Sequence, residues 1–251
     1  MFPENDGVPA DLSRLPALCG VIDAIYNPLN TRLILNARER GIAAEGGLFM
    51  LCAQAVRASE IFHDRKLPPD TADRIFRAIR SEKENVVLIG MPAVGKSTVG
   101  KLLSRESGRP FFDADEEFEK KNGQIFAFFA KYGESAFRDE ETRILKELSK
   151  HSGAILSTGG GSVLRQENIA SLKQNGRLFW LDRDLRDITP DPHRPTANSR
   201  AAIEALYRER IDFYRRAADE IVTIGARNGE PDFSAATEQI LNARRKQYDA
   251  P

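Results

Sequence analysis

The stretch VVLIGMPAVGKSTVGKLL, residues 86–103, decides the fold of this chain. It reads as a buried strand, a turn with glycine at both ends, and the first turns of a helix. Gly90 to Ser97 fits the pattern G-x-x-x-x-G-K-[ST], in which turn amides and a helix N-terminus bind phosphate. Lys96 can reach the outer phosphates, and Ser97 offers a hydroxyl to Mg²⁺. The stretch predicts a nucleotide-binding α/β domain and leaves the phosphate acceptor open.

Five short apolar runs alternate with amphipathic helical patterns from residue 85 onward: VVLIG, PFFDAD, GAILSTG, GRLFWLD and EIVTIG. Such alternation predicts a parallel sheet with helices on both faces. The preceding residues read mostly as helices, and residues 46–62 are predicted to form a long, largely buried helix. A charged stretch near Glu82 separates the two patterns. We therefore expect two units, residues 1–82 and residues 83–251.

Composition restricts the classes of protein to which the chain can belong. Hydrophobic residues make up 41% of the 251 residues, and no apolar run is long enough to span a bilayer. Lysine plus arginine equals aspartate plus glutamate at 37 each, so no charge excess favours nucleic acid or an acidic membrane. The 2 cysteines are too few for a disulfide framework. We expect a cytoplasmic globular protein with no nucleic-acid or membrane partner.

Three polar motifs follow the predicted strands. Asp113 and Asp115 end the second strand, where alternation would place both carboxylates on one side, suited to a Mg²⁺-bound water and a substrate hydroxyl. Alternatively, one of the two caps the next helix. Arg138 edges an apolar helical stripe, where it forms either a structural salt bridge or a bidentate pair with a substrate carboxylate. Three glycines, residues 159–161, follow a buried strand and let a ligand approach the backbone closely.

Six motifs in order make residues 85–245 resemble the shikimate kinases: the phosphate loop, D-x-D, G-E-x-x-F-R, G-G-G, R-P, and an arginine ahead of a tyrosine. The resemblance implies a P-loop fold of the nucleoside-monophosphate-kinase type, with a five-stranded parallel sheet flanked by helices. It implies transfer of the γ-phosphoryl group of ATP to the 3-hydroxyl of shikimate. The expected cofactors are therefore ATP and Mg²⁺, and the expected partner is shikimate, bound by a monomeric kinase domain.

The resemblance assigns roles to individual residues. The candidate catalytic residues are Lys96, Asp115 and Arg194, and the candidate Mg²⁺ ligands are Ser97 and Asp113. The expected nucleotide contacts are Ala93, Val94, Gly95, Lys96, Ser97, Thr98 and Arg194, the last of these from a mobile lid. The expected shikimate contacts are Asp115, Arg138, Gly160, Gly161 and Arg210. Periodicity supports Arg210 separately, because it falls beside the inward-facing tyrosines of its helix.

Two departures from the family's pattern keep other functions open. Ala93 and Val94 stand where the family has glycine or a small residue, and the lid reads RPTAN instead of R-P-L-L. One alternative is a catalytically weak nucleotide-binding protein, and another is a P-loop kinase of a different polyol acid such as gluconate. The D-x-D pair, Arg138 and the three glycines argue against the gluconate alternative.

Residues 1–65 resemble the C-terminal third of shikimate dehydrogenase in the stretches DAIYNPLNTRLILNARERG and GGLFMLCAQA. The resemblance places Tyr26 and Gln54 at the substrate and nicotinamide end of that enzyme's site. The segment carries neither a dinucleotide-binding glycine loop nor the catalytic lysine and aspartate, so we interpret it as a truncated fragment. We expect it to lack dehydrogenase activity. Its apolar helix faces must pack against each other, the kinase unit or a second chain, which makes the segment a candidate for association.

Overall fold

The computed structural model describes residue 5 and residues 7–189, 199–227 and 229–249. Its strands are β1 (Gly20–Ile22), β2 (Ala43–Glu45), β3 (Asn85–Ile89), β4 (Phe111–Asp113), β5 (Ile155–Ser157), β6 (Gly176–Asp182), β7 (Glu220–Thr223), β8 (Ala226–Arg227) and β9 (Glu230–Pro231). Its α-helices are α1 (Arg32–Glu39), α2 (Leu48–Phe62), α3 (Thr71–Lys83), α4 (Lys96–Ser107), α5 (Ala114–Asn122), α6 (Ile125–Leu148), α7 (Gln166–Asn175), α8 (Arg200–Ala217) and α9 (Phe233–Asp249).

Five parallel strands form the main sheet in the order β4-β5-β3-β6-β7. Every residue of β3 is buried, which accounts for its continuous apolar run, because a parallel sheet is covered on both faces. The predicted five-stranded parallel sheet is confirmed. The phosphate loop leaves the carboxyl end of the middle strand and leads into α4, so it lies at the centre of the edge where open α/β sheets bind ligands.

The N-terminal segment contains the expected helices and, in addition, a pair of parallel strands. β1 pairs with β2, and α1 connects them along the chain. Ile34 of α1 is fully buried. The loop before α1 is held by the end of α7, where the Asn30 amide donates to the Gln174 carbonyl at 2.8 Å. The segment therefore packs against the five-stranded part of the chain.

Helix α2 is much more exposed than the sequence pattern predicts. Only Leu48 and Cys52 are buried, whereas Met50, Leu51 and Phe62 are 42%, 40% and 85% exposed. The prediction of a largely buried helix is wrong because α2 packs mainly against α3 and no further layer of the described residues covers its other faces. No helix in the described ranges is long and apolar enough to cross a membrane.

Two arginines anchor the end of α3, where a single residue separates it from β3. Arg109 donates to the carbonyl oxygens of Ser81 and Glu84 at 2.5 and 2.7 Å. Arg244 of α9 donates to the same Ser81 carbonyl at 2.6 Å. The charged stretch near residue 82 is thus firmly held by the part of the chain that follows it.

Candidate active site

The phosphate loop between β3 and α4 holds three residues at positive φ: 146° at Gly90, 61° at Ala93 and 112° at Gly95. A Cβ atom at Gly95 would lie 2.2 Å from the ring of Phe233, so only glycine fits there without a shift. Val94 is 1% exposed, with its side chain in the core. The loop therefore accommodates its bulkier residue by directing it away from the phosphate side.

Lys96 begins α4 and folds back over the loop. Its Nζ donates to the carbonyl oxygens of Gly90 and Met91, both at 2.9 Å, and the side chain is buried. Ser97 and Thr98 follow in the first helical turn and are exposed. Because the first amides of a helix have no intrahelical acceptor, this turn offers free donors next to an ammonium group. The arrangement is suited to binding phosphate oxygens.

Asp113 ends β4 and connects it to the phosphate loop. Its Oδ2 accepts a hydrogen bond from the Ser97 hydroxyl at 2.5 Å, and its Oδ1 accepts from the Asp115 amide at 3.0 Å. Asp113 is therefore the N-cap of α5, and Asp115 belongs to the first turn of that helix. The prediction that strand alternation aligns the two carboxylates is wrong, since the strand ends at the first of them. Asp115 nevertheless lines the same cleft.

Arg138 and Glu141 form a nearly buried ion pair on α6, beyond a bend at Gly133. Arg138 Nη1 donates to Glu141 Oε2 at 2.7 Å, and the two side chains are 11% and 5% exposed. Burial raises the pKa of the Glu141 carboxyl, and Arg138 opposes that shift. Among the described residues, Arg138 Nε and Glu141 Oε1 find no hydrogen-bond partner. The salt bridge that the sequence suggested exists, and both of its residues line the cleft.

Two of the three glycines after β5 make room for this ion pair. A Cβ atom at Gly159 would lie 2.3 Å from Glu141 Oε1, and a Cβ atom at Gly161 would lie 2.3 Å from Arg138 Nη1. A larger residue at either position would have to displace one of the charged groups. The absence of side chains in the glycine run thus has a second consequence besides letting a ligand approach the backbone, because it lets two charged side chains reach the cleft.

The middle glycine, Gly160, contacts both the phosphate loop and α8. A Cβ atom at Gly160 would lie 2.6 Å from Cδ of Pro92 in the loop. Its carbonyl accepts a hydrogen bond from the Tyr214 hydroxyl. Tyr214 is fully buried and stacks on Trp180 with ring centroids 5.9 Å apart. Burial raises the pKa of its hydroxyl, which therefore stays protonated as a donor. The periodicity identified Tyr214 only as an inward-facing residue, so this contact is new.

Arg210 lies one helical turn before Tyr214 on α8 and is 3% exposed, as its predicted inward position requires. Its Nε lies 3.6 Å from Glu209 Oε1, on a side chain that is 55% exposed, and has no hydrogen-bond partner within the described part of the chain. The guanidinium also acts on the Tyr214 hydroxyl and the Glu141 carboxyl, where it opposes the rise in pKa that burial causes. A buried cation is costly unless polar or anionic groups meet it in this way. Arg210 is therefore suited to a negatively charged ligand.

These side chains surround a cleft of about 510 Å³ at the carboxyl edge of the sheet. Among the residues with predicted roles, those that line it are Ser97, Asp113, Asp115, Arg138, Gly160, Gly161 and Arg210. Arg194, the expected lid residue, lies outside the described residues. The cleft thus brings carboxylates, two arginines and the phosphate loop together.

Aromatic side chains form another part of the cleft wall. Phe126 and Phe129 lie on α6 before its bend, and Phe137 lies beyond the bend. Sequence reasoning missed the first two because they belong to no motif and resemble ordinary core residues of an amphipathic helix. No cluster of three or more acidic, histidine or cysteine side chains suited to a metal ion occurs in the ranges that the structure covers.

Comparison with known proteins gives a consistent result. The sequence profile of the shikimate kinase family matches residues 92–243. A shikimate kinase of Burkholderia lata is 38% identical over 170 residues, which cover 64% of this chain and 90% of that protein. The structure of shikimate kinase from Acinetobacter baumannii in complex with shikimate has a TM-score of 0.58 and 30% identity, covering 69% of this chain and 97% of that chain. The shikimate kinase structure from Aquifex aeolicus has a TM-score of 0.56 and 33% identity, covering 65% of this chain and 97% of that chain. The chain therefore belongs to the shikimate kinase family.

Proposed function

We propose that the cleft transfers the γ-phosphoryl group of ATP to the 3-hydroxyl of shikimate. The observation that carries this proposal is the close approach of Gly160 to Pro92, which joins the glycine run beside Arg138 to the phosphate loop. Membership of the family implies shikimate kinase activity and the use of ATP. Phosphoryl transfer needs little covalent chemistry from the protein, so positioning and charge account for most of the catalysis.

The nucleotide phosphates bind the loop formed by Ala93, Val94, Gly95, Lys96, Ser97 and Thr98. Their oxygens accept hydrogen bonds from the amides of the first turn of α4. Lys96 then exchanges the carbonyl oxygens of Gly90 and Met91 for phosphate oxygens, which are stronger acceptors because they are charged. Its charge is most useful when negative charge develops on the transferred group.

Ser97 and Asp113 fit a Mg²⁺ site. Mg²⁺ prefers oxygen ligands, keeps several waters and takes only one or two protein groups besides the phosphates of the nucleotide. The Ser97 hydroxyl and Asp113 Oδ2 are 2.5 Å apart, so these two residues would hold the ion together, Ser97 directly and Asp113 through a bound water. When bound, Mg²⁺ neutralises charge on the β- and γ-phosphates.

Cationic side chains hold shikimate at its carboxylate, and an acidic side chain holds it at its reacting hydroxyl. Arg138 and Arg210 bind its carboxylate together with backbone amides at Gly160 and Gly161, since all four residues line the cleft and a guanidinium group forms strong hydrogen bonds with a carboxylate. Asp115 accepts a hydrogen bond from the reacting hydroxyl and takes its proton as the oxygen attacks the γ-phosphorus. Arg194, from the lid, neutralises charge on the transferred phosphoryl and helps to exclude water, because hydrolysis of ATP is the competing reaction.

Release of ADP with three acceptor conditions separates this proposal from its rivals. The coupled assay compares shikimate, gluconate and no acceptor at saturating ATP. We expect shikimate to raise the rate at least tenfold above the rate without acceptor, with gluconate indistinguishable from the blank. Stimulation by gluconate would favour a different polyol-acid kinase, and equal rates in all three conditions would favour a weak nucleotide-binding protein.

We also propose that residues 1–82 form a unit distinct from the kinase unit, residues 83–251. Its sequence resembles the end of shikimate dehydrogenase, and Tyr26, to which that resemblance gives a role, is 50% exposed. We propose that the kinase unit acts as a monomer in the cytoplasm, and that the N-terminal unit is the part that associates with other proteins. The N-terminal unit lacks the means to anchor a dinucleotide, so no NADP-dependent oxidation of shikimate is expected. Measurable NADPH formation by the purified chain would contradict this.

A further inference from the structure

The carbonyl groups of the three glycines after β5 all accept hydrogen bonds, but from different kinds of donor. The carbonyls of Gly159 and Gly161 accept from backbone amides three residues later along the chain, at 3.2 and 3.1 Å. These two bonds belong to the turn itself. The Gly160 carbonyl is instead held by a side chain, because it accepts from the Tyr214 hydroxyl on α8. The direction of this one carbonyl therefore depends on a distant part of the chain.

The bond from Tyr214 fixes the direction of a whole peptide unit. The peptide bond between Gly160 and Gly161 is trans and therefore planar, with its carbonyl and its N–H pointing in opposite directions. Because the Gly160 carbonyl points at the buried Tyr214 hydroxyl, the Gly161 amide points away from it. This amide has no hydrogen-bond acceptor among the residues that the structure describes. Gly161 lines the cleft, so its amide is a donor available to a ligand there.

Without the tyrosine bond this peptide unit could turn over. Such a rotation changes ψ of the residue before the peptide bond and φ of the residue after it, and glycine allows both changes at little steric cost. Neither Gly160 nor Gly161 can be exchanged for a stiffer residue without a shift, because a Cβ atom would collide with Pro92 or with Arg138. A turned peptide unit would direct its carbonyl oxygen at the cleft, where it would repel a carboxylate. The glycine run needs an outside group to hold it in one orientation.

Tyr214 is suited to be that group. Its side chain is fully buried, and its ring stacks on Trp180 with 16° between the ring planes. A buried tyrosine hydroxyl needs a hydrogen-bond partner, and the Gly160 carbonyl provides it. Burial raises the pKa of the hydroxyl, so it remains a donor throughout the physiological range of pH.

We propose that Tyr214 is a positioning residue: by holding the Gly160 carbonyl, its hydroxyl directs the Gly161 amide at the carboxylate of shikimate. Tyr214 itself touches no substrate atom in this arrangement. The inference rests on the proposed function, because it requires shikimate in the cleft. A tyrosine that merely stabilised the fold would affect the binding of every ligand alike, whereas a positioning tyrosine affects the ligand that carries a carboxylate.

Tyr214→Phe removes the hydroxyl and keeps the ring that stacks on Trp180. We expect KM for shikimate to rise about tenfold, which is the effect of losing one hydrogen bond to a charged group. Both kcat and KM for ATP should stay within about twofold, because the change does not touch the groups that bind phosphate. Tyr207→Phe, two turns earlier on α8, is the matched control and should leave all three constants unchanged.

A shikimate analogue with a hydroxymethyl group in place of the carboxylate separates positioning from stability. Isothermal titration calorimetry gives the Kd of shikimate and of the analogue for the chain and for Tyr214→Phe. The substitution should weaken shikimate about tenfold and the analogue less than about twofold. Equal weakening of the two ligands, or an unchanged Kd for shikimate, would overturn the proposal.

The Gly161 amide can also be observed without any substitution, by nuclear magnetic resonance of a chain labelled with isotopic glycine. Its proton should move to lower field when shikimate binds and stay near its free position when the analogue binds. Binding of shikimate without this movement would overturn the inference, even if Tyr214→Phe does not fold. Movement of the proton without release of ADP would contradict the proposed function alone, and failure of shikimate to bind would contradict both.

Discussion

Replacing Arg138 by lysine tests whether its guanidinium group binds the shikimate carboxylate. Arg138 already pairs with Glu141 at 2.7 Å and is 11% exposed, so the change takes place where little water can compensate. Lysine keeps the charge and can still pair with Glu141, but it cannot offer a planar fork to two acceptors. The variant should therefore fold normally and lose part of its affinity for shikimate.

The magnitude follows from the number of hydrogen bonds that lysine cannot replace. A hydrogen bond to a charged group contributes about 1.5–3 kcal/mol. Because about 1.4 kcal/mol corresponds to a factor of ten, the loss of one such bond weakens shikimate binding about 10- to 150-fold. The affinity for ATP should change less than about twofold, because Arg138 lies against Gly161, whereas the phosphate loop lies against Gly160.

A single tryptophan provides the assay. Trp180 stacks on Tyr214, which donates to the Gly160 carbonyl, so its fluorescence should report ligands that bind beside the glycine run. Titration of shikimate gives its Kd directly, and titration of ATP gives the comparison. Arg143→Lys, on the same helix with its side chain 73% exposed, is the control. An unchanged Kd for shikimate, or equal weakening for both ligands, would refute the proposed role of Arg138.

Three further predictions concern other parts of the molecule. Gly161→Ala should raise KM for shikimate at least tenfold, because its Cβ would lie 2.3 Å from a guanidinium nitrogen of Arg138. Gly160→Ala should instead raise KM for ATP more than KM for shikimate, because its Cβ would lie 2.6 Å from Pro92 Cδ in the phosphate loop. Identical effects of the two substitutions on both KM values would contradict this division. Lys96→Ala should lower kcat by about two to three orders of magnitude, because it removes a donor that stabilises charge on the transferred group. Steady-state kinetics measure this effect, and a change in KM alone would contradict the prediction. A variant that begins at Ser81 keeps the carbonyl oxygens that anchor Arg109, so kcat should stay within about twofold; a folded, inactive variant would show that the N-terminal unit takes part in catalysis.

The main sheet could be predicted because its signals are local. Each of its strands is a short apolar run. Residues of a parallel strand are buried on both faces of the sheet, as all residues of β3 are, so the strand appears in the sequence as a continuous apolar stretch. The phosphate loop is equally local, because the pattern from Gly90 to Ser97 specifies both the turn and the helix that follows. Residues that line the cleft through these motifs, such as Arg138, were therefore found from the sequence alone.

The remaining features depend on contacts between distant parts of the chain. No sequence pattern predicts that the Tyr214 hydroxyl donates to the Gly160 carbonyl or that Phe126 lines the cleft, because both residues look like core residues of amphipathic helices. The sequence pattern placed Asp115 at the end of a strand. In the structure Asp113 caps the next helix, so the strand ends at Asp113 and the helix begins at Ala114. Helix α2 reads as buried since its composition is apolar, but burial depends on a neighbouring layer, and composition does not reveal whether one is there.

The position of the phosphate in the product tests the central claim most directly. The chain is incubated with ATP, Mg²⁺ and shikimate, and the product is examined by phosphorus–proton correlation in nuclear magnetic resonance. We predict one phosphorylated product, whose phosphorus couples to the proton on carbon 3, formed in equal amount to ADP. ADP accompanied only by inorganic phosphate, or phosphorus coupled to the proton of another carbon, would contradict the proposed orientation of shikimate in the cleft.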